Sequence, residues 1–210
     1  MFPSHDPKGD VLVHSGDFSI TGALKDLQLF GNWFSEQPYK YKILVAGNHD
    51  EMLQGSKAAE AKYFLGNKGI IYLQDSGIEI EGIKFWGSPW TPEFGNWAFM
   101  KRRRGGSLRH KWSLIPDDTN VLITHGPAWG TLDLNWRSQR CGCELLENRL
   151  LHLRPDLHIF GHIHDSGGIV MRNVGAKVSI NAAMLGEDYI SLRDPIVWDM
   201  NYETEYIENE

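Results

Sequence analysis

The chain has 210 residues, 41% of them hydrophobic, and 27 acidic side chains against 21 basic give it a formal net charge of −6. That length buries one sizeable core, and the acidic balance argues against a general nucleic-acid-binding surface. No apolar run approaches the ~20 residues that span a bilayer and no signal peptide is readable, so a cytoplasmic protein without membrane contact is expected.

Taken in order, Met1–Lys8 has no periodicity and reads as a loop, and Val11-Leu12-Val13-His14 is a short apolar strand ending in Gly16-Asp17. A helix is predicted from about Thr21 to Ser35, with Thr21 as its N-cap and Ile20, Leu24, Leu27, Gly31 and Phe34 on one face. Ile43-Leu44-Val45-Ala46 is a run of apolar residues of the kind found in buried parallel strands, and it stops at Gly47-Asn48-His49-Asp50. The order so far is strand, helix, strand, the pattern of a parallel crossover unit.

A second helix is predicted from about Ser56 to Leu65, closed by Gly66-Asn67. Ile70–Leu73 is a short strand, and Ile78–Gly87 alternates about a glycine as a hairpin does. Ser88–Gly106 is irregular, dense in Trp90, Phe94, Trp97 and Phe99, and contains Lys101-Arg102-Arg103-Arg104. Two readings stand for it: aromatics packed over the core beside a solvated basic turn, or a substrate rim with rings to stack on a base and arginines to meet phosphate. Asn120–Thr124 is another buried strand, ending at His125-Gly126-Pro127. Cys141 and Cys143 are too close for an ordinary structural disulfide, which fits a reducing compartment. A helix from about Cys143 to Leu153 carries Leu146, Leu150 and Leu153 on one face, and Pro155 stops it. Asp156–Phe160 is the next strand, ending at Gly161-His162-Ile163-His164. Gly168–Leu185 reads as hairpin strands, Pro195–Asp199 as a closing strand, and 201–210 as an acidic tail. The expected organisation is one domain over 1–200 followed by that tail.

The chemistry-bearing residues collect after strands. Asp17, Asn48-His49-Asp50, His125 and His162 with His164 each follow an apolar run and sit beside a glycine. A single such histidine is ordinary; four such strand ends are not explained by packing, and open α/β sheets gather chemistry at carboxyl strand ends. The His-x-His pair, on an extended segment, points both rings to one side of the chain, toward one centre. Mixed nitrogen and oxygen donors suit manganese, iron, zinc or cobalt better than calcium, and one carboxylate can bridge two ions about 3.5 Å apart.

Together, Gly16-Asp17, Gly47-Asn48-His49-Asp50, Thr124-His125-Gly126-Pro127 and Gly161-His162-Ile163-His164 resemble the ordered motifs of the calcineurin-like metallophosphoesterases. The stretches Lys111–Asp133 and Ser179–Ala182 look closer to the small branch that includes metallophosphoesterase-domain-containing proteins. The resemblance implies an α/β fold of two facing mixed β-sheets flanked by helices. It also implies hydrolysis of a phosphoester, a phosphodiester sooner than a monoester, by a metal-activated hydroxide. Carried over, Asp17 bridges two metals, Asn48, His125 and His162 complete one shell, and His164 serves the other. Asn48 and His49 meet the substrate, His49 donates a proton to the leaving oxygen, and Asp50 orients it. Manganese is the favoured metal, with iron, zinc, cobalt or nickel as alternatives.

One departure stands out. The family's first motif, Asp-x-His after a first strand, is absent. His5-Asp6 has the wrong order, and Asp156-Leu157-His158 matches the letters from inside a strand. The reading is therefore one firm metal site and one weak one, with a free sheet edge where a second copy could pair. The substrate class is a small phosphoester or nucleotide. The rival reading is a catalytically reduced nucleotide- or metal-binding protein that acts by interaction; the intact His49, His162 and His164 favour the enzyme. A nucleic-acid exonuclease is disfavoured by acidity and size, although Lys101–Arg104 speaks for it.

Overall fold

The computed structural model describes residues 9–186 and 188–200. Met1–Lys8, with His5-Asp6, and the acidic tail 201–210 lie outside the described residues. Strand β1 (Val11–His14) leads to helix α1 (Leu24–Glu36), β2 (Tyr41–Leu44), α2 (Ala58–Asn67) and β3 (Ile71–Tyr72). Then follow the hairpin β4 (Ser76–Ile80) and β5 (Ile83–Ser88), the short pair β6 (Thr91–Pro92) and β7 (Met100–Lys101), and α3 (Gly106–Ser113). The chain continues through β8 (Val121–Thr124), α4 (Glu144–Leu153), β9 (Leu157–Phe160), β10 (Gly168–Met171) and β11 (Val178–Asn181).

β1, β2 and β3 form a parallel sheet in that order, and a six-stranded mixed sheet runs β10-β11-β9-β8-β5-β4. The side-chain period of two decides which residues lie between the sheets. Val11, Val13 and Ile43 from one sheet pack with Val121, Ile123, Leu157 and Ile180 from the other. The alternate positions, Leu12, Leu44 and Leu122, pack with the buried faces of the helices, among them Leu27, Phe30, Trp112, Leu146 and Leu150. The result is two facing sheets with helices outside them, as the sequence implied.

Among the described residues β1 is bonded along one edge. Asp10 and His14 carbonyls accept the N–H groups of Tyr41 and Val45. The backbone groups of Val11 and Val13 therefore face the other way, where no described strand pairs with them. Beside that edge a cleft of about 1670 Å³ opens between the sheets and reaches the loops after β1 and β9.

Several boundaries and faces differ from the sequence reading. α1 starts at Leu24, not Thr21, and its N-cap Ala23 makes no side-chain cap. The Thr21 hydroxyl donates instead to Asp26 Oδ2 at 2.6 Å. Ile20 is therefore outside the helix and 89% exposed, while Phe30, left off the predicted face, is buried. α3 occupies a stretch with only Leu108 and Trp112 on its apolar face. Pro195–Asp199 is not a strand, although Ile196 and Trp198 do pack on the inter-sheet core.

These faces have measurable consequences. Leu122→Ala, in the fully buried centre of β8, is expected to cost about 2–5 kcal/mol. Ile20→Ala is expected to cost less than about 0.5 kcal/mol. Urea unfolding of the two variants checks this, and comparable losses would return Ile20 to the core.

Candidate metal centre

Each candidate ligand lies just past a carboxyl strand end. β1 and β2 are parallel neighbours in one sheet, and β8 and β9 are parallel neighbours in the other. Their loops meet where the sheets face. The Gly161 N–H donates to the His125 carbonyl at 2.9 Å, joining the β8 and β9 loops. The His125 Nδ1–H donates to the Ser15 carbonyl at 2.8 Å, joining β8 to β1.

Two glycines allow this crossing. A Cβ on Gly16 (φ 101°) would lie 2.4 Å from the Gly47 nitrogen, and one on Gly47 would lie 2.2 Å from Asp17 Oδ1 and 2.6 Å from His125 Cε1. Only glycine permits such close approach. Asp17 and His162 themselves adopt the left-handed region, at φ 60° and 69°. That conformation is costly for non-glycine residues and is characteristic of functional sites.

The donors converge. Ligand atoms of Asp17, His125 and His162 all lie within 4.8 Å of one another. His125 Nε2 is 3.1 Å from Asp17 Oδ2 and 3.0 Å from Asn48 Oδ1. The His125 and His162 rings stand edge to face at 4.7 Å. With its Nδ1–H spent on Ser15, a neutral His125 turns a bare nitrogen toward two oxygens. A divalent cation among them satisfies all three atoms, and a backbone-bonded imidazole is the usual metal-ligating arrangement. The donor set therefore fits a metal of the manganese-to-zinc group.

Electrostatics agree for Asp17 and His162, while His125 favours a proton that a bound cation would displace. Burial alone would raise the Asp17 carboxyl, but the imidazoles of His125 and His162 and the His49 N–H hold it well below the carboxylate range. Burial disfavours charge on His125, yet the Asp17 carboxylate and the Ser15 carbonyl raise it overall. Burial, with His125 alongside, pulls His162 down to about 3, so its nitrogen is free to bind.

Asp50 has a different task from the one expected. Among the described residues its carboxyl group makes no bond to the His49 ring. It accepts backbone N–H bonds from Gly47 at 2.7 Å, Asp17 at 2.9 Å and Ser19 at 3.1 Å, pinning the β1 loop to the β2 loop. Burial and the charge of Asp17 push it up to about 8, against the pull of the Gly47 and Asp17 N–H groups. The backbone N–H of His49 donates to Asp17 Oδ1 at 2.8 Å. The His49 ring is partly exposed and lies 4.5 Å from the Trp97 ring, tilted by 43°.

His162 and His164 do not share a centre in the way an extended His-x-His would. The left-handed turn at His162 breaks the alternation, and His164 opens a 3-10 turn, His164–Ser166. His164 lies outside the Asp17–His125–His162 group, edge-on to Tyr189 at 5.2 Å. Its buried Nδ1 has no hydrogen-bond partner among the described residues, which suits a ligand for a second ion. Asn181 steadies this turn by donating to the Ile163 carbonyl at 2.8 Å. His158, the histidine of the Asp156-Leu157-His158 lookalike, is fully buried inside β9 and bonds Thr124 Oγ1 at 2.8 Å.

The aromatic and basic stretch divides between its two readings. Trp90 and Phe99 are buried. Lys101 stands over the Trp90 ring at 4.7 Å, and Arg103 is spent on the carbonyls of Gly142 and Cys141 and on Glu144. Those groups are structural. Phe94, 5.4 Å from the His162 ring, and Trp97 are half-exposed or more at the metal-centre rim. Tyr189 and Asn181 escaped the sequence reading as site residues. Neither carries a motif, although the stretch around Asn181 was among those that carried the resemblance. Both cysteines are free, and the buried Cys143 sulfur accepts the Trp112 indole N–H at 3.3 Å.

Comparison with known proteins shows the family. The family described as calcineurin-like phosphoesterase matches residues 2–166. Human metallophosphoesterase domain-containing protein 1 is 36% identical over 222 residues, covering 94% of this chain and 67% of that protein. A UPF0046 protein of Caenorhabditis elegans is 37% identical over 204 residues, covering 91% of this chain and 68% of its own. The crystal structure of TT1561 of Thermus thermophilus superposes with a TM-score of 0.56 at 15% identity, over 83% of this chain and 76% of that one; it speaks for the fold alone. The chain belongs to the calcineurin-like phosphoesterase family.

Proposed function

We propose that this chain hydrolyses small phosphodiesters, nucleotides among them, with a manganese-class ion held by Asp17, Asn48, His125 and His162. The observation that carries the reading is the convergence of those donors at the carboxyl ends of four parallel-paired strands, with His49 on the rim. A bound divalent ion supplies positive charge that acidifies an attacking water and offsets charge on the phosphoryl oxygens. Asn48 and His49 contact the phosphate. His49 gives its proton to the leaving oxygen as the bond to phosphorus breaks. Asp50 holds the Asp17 and Asn48 loops at working distance. Manganese is favoured by the mixed donor set, with iron, zinc, cobalt and nickel as alternatives.

His164 and Asp17 would hold a second, weaker ion, since two protein ligands are a poor shell for a transition metal. The domain spans 1–200, with 201–210 an acidic tail, and it works in the cytoplasm. The open edge of β1 is where a second copy would pair. The rival reading, a metal- or nucleotide-binding protein that acts by interaction, draws on the thin second shell. It separates from the enzyme by one result: metal and nucleotide bound without turnover.

Three outcomes test the proposal. His125→Ala should empty the first site and abolish turnover while circular dichroism stays native; unchanged metal content in the purified variant would remove His125 from the shell. His49→Ala should keep the metal and lower turnover by about 10²–10⁴. That loss should be largest for poor leaving groups, and an equal loss across leaving groups would assign His49 to charge stabilisation instead. Titration with Mn²⁺ should raise the rate well beyond the concentration that fills one site. Two ions bound with equal affinity would rule out the unequal pair.

A further inference from the structure

We propose that Trp97 is the positioning residue for His49, holding its imidazole where it can pass a proton to the leaving oxygen. The inference rests on the reading of His49 as proton donor. With Asp50 committed to three backbone N–H groups, the residue expected to steer His49 is spent. The backbone of His49 is fixed through its N–H on Asp17, but among the described residues its ring makes no hydrogen bond. What meets the ring is the Trp97 indole, 4.5 Å centroid to centroid.

Trp97 is built to stay there. The Ala98 N–H, one residue on, donates to the Asn48 carbonyl at 3.1 Å, tying the aromatic loop directly to the residue before His49. The Phe99 N–H donates to Gln54 Oε1, beyond the same loop. Thr91 N–H bonds the Phe99 carbonyl at 3.0 Å and Glu93 N–H the Lys101 carbonyl at 2.8 Å, so both ends of the loop are fastened. Phe99 is fully buried and left-handed at φ 54°, an anchor two residues from the indole. Trp97 itself remains 50% exposed. A tryptophan that served only the core would be covered. This one leaves half its surface in water and sets its ring against the imidazole. Packing of a large rigid ring removes rotamers from its neighbour, and the freedom it removes is freedom that a proton donor would otherwise lose in the transition state.

The test uses Trp97→Ala, Trp97→Phe, His49→Ala and the Trp97→Ala/His49→Ala double variant, each loaded with Mn²⁺. Turnover is measured on 4-nitrophenyl and unsubstituted phenyl phosphodiesters. Trp97→Ala should lower kcat by about 10- to 100-fold on the phenyl ester, less on the nitrophenyl ester, and leave KM nearly unchanged. Trp97→Phe should recover most of the loss, and the double variant should be no slower than His49→Ala. In metal-free protein labelled at histidine, the His49 ring resonances, assigned by their absence in His49→Ala, should lose their ring-current shift in Trp97→Ala and keep it in Trp97→Phe. A loss that falls on KM, or persists in the His49→Ala background, would make Trp97 a substrate platform and overturn the proposal. Unmoved His49 resonances in Trp97→Ala would also overturn it. Should His49→Ala show no dependence on leaving group, the proton-donor reading itself fails, while the resonances still decide whether the indole holds the ring.

Discussion

The centre depends on one carboxyl group. Asp50 accepts N–H bonds from Gly47, Asp17 and Ser19, and so fixes two loops that the chain reaches from different strands. Three backbone donors converging on one buried acceptor fix its geometry and that of both loops. Because the bonds go to the backbone of Asp17 and of the residue before Asn48, they set where those side chains start. The same staple explains Gly16 and Gly47: the two loops are drawn so close that a Cβ on either would collide with the other. Removing Asp50 would leave Asp17 and Asn48 in place in the sequence but not in register with His125.

The sandwich supplies the rest of the register. Parallel pairing of β1 with β2 and of β8 with β9 brings four strand ends to one side. Facing the sheets across an apolar interior then lays the two pairs of loops together. Among the described residues the two sheets differ in width, three strands against six, and part of the wide sheet lines a cleft. That cleft begins at the ligand loops and continues along Val11 and Val13, joining a polar centre to an apolar gap.

Much of this was legible because strand ends announce themselves. Val-Leu-Val-His before Gly-Asp and Ile-Leu-Val-Ala before Gly-Asn-His-Asp are apolar runs stopped by glycine, and burial on both faces demands such runs. What escaped were choices made by side chains with more than one partner. Thr21 could cap a helix but donates to Asp26 instead, which moves the start of α1 and turns Ile20 to solvent. Pro195–Asp199 has the alternation of a strand and half-buries Ile196 and Trp198 as one would, yet it pairs with no described strand; periodicity reports which face is buried, not which backbone groups are paired. Asp50 adjoins His49 in sequence, but its carboxylate is claimed by backbone donors, and adjacency carries no information about that competition.

His158 and His162 make the same point within one strand. Both are imidazoles of the β9 segment, and both are pulled to about 3, first of all by burial. Their surroundings, not their proton affinity, separate them. His158 lies inside the ladder, paired in register with Ser179 on β11 and Leu122 on β8, and its Nε2 is taken by Thr124. His162 lies past Gly161, where the ladder has ended and the backbone turns left-handed. That turn swings its ring onto His125 and Asp17 and breaks the alternation that would have sent His164 after it. A histidine becomes available to a metal here only where the strand lets go of the chain. The glycine ahead of the ligand after β1, β2 and β9 is therefore as much a part of the centre as the ligand that follows it.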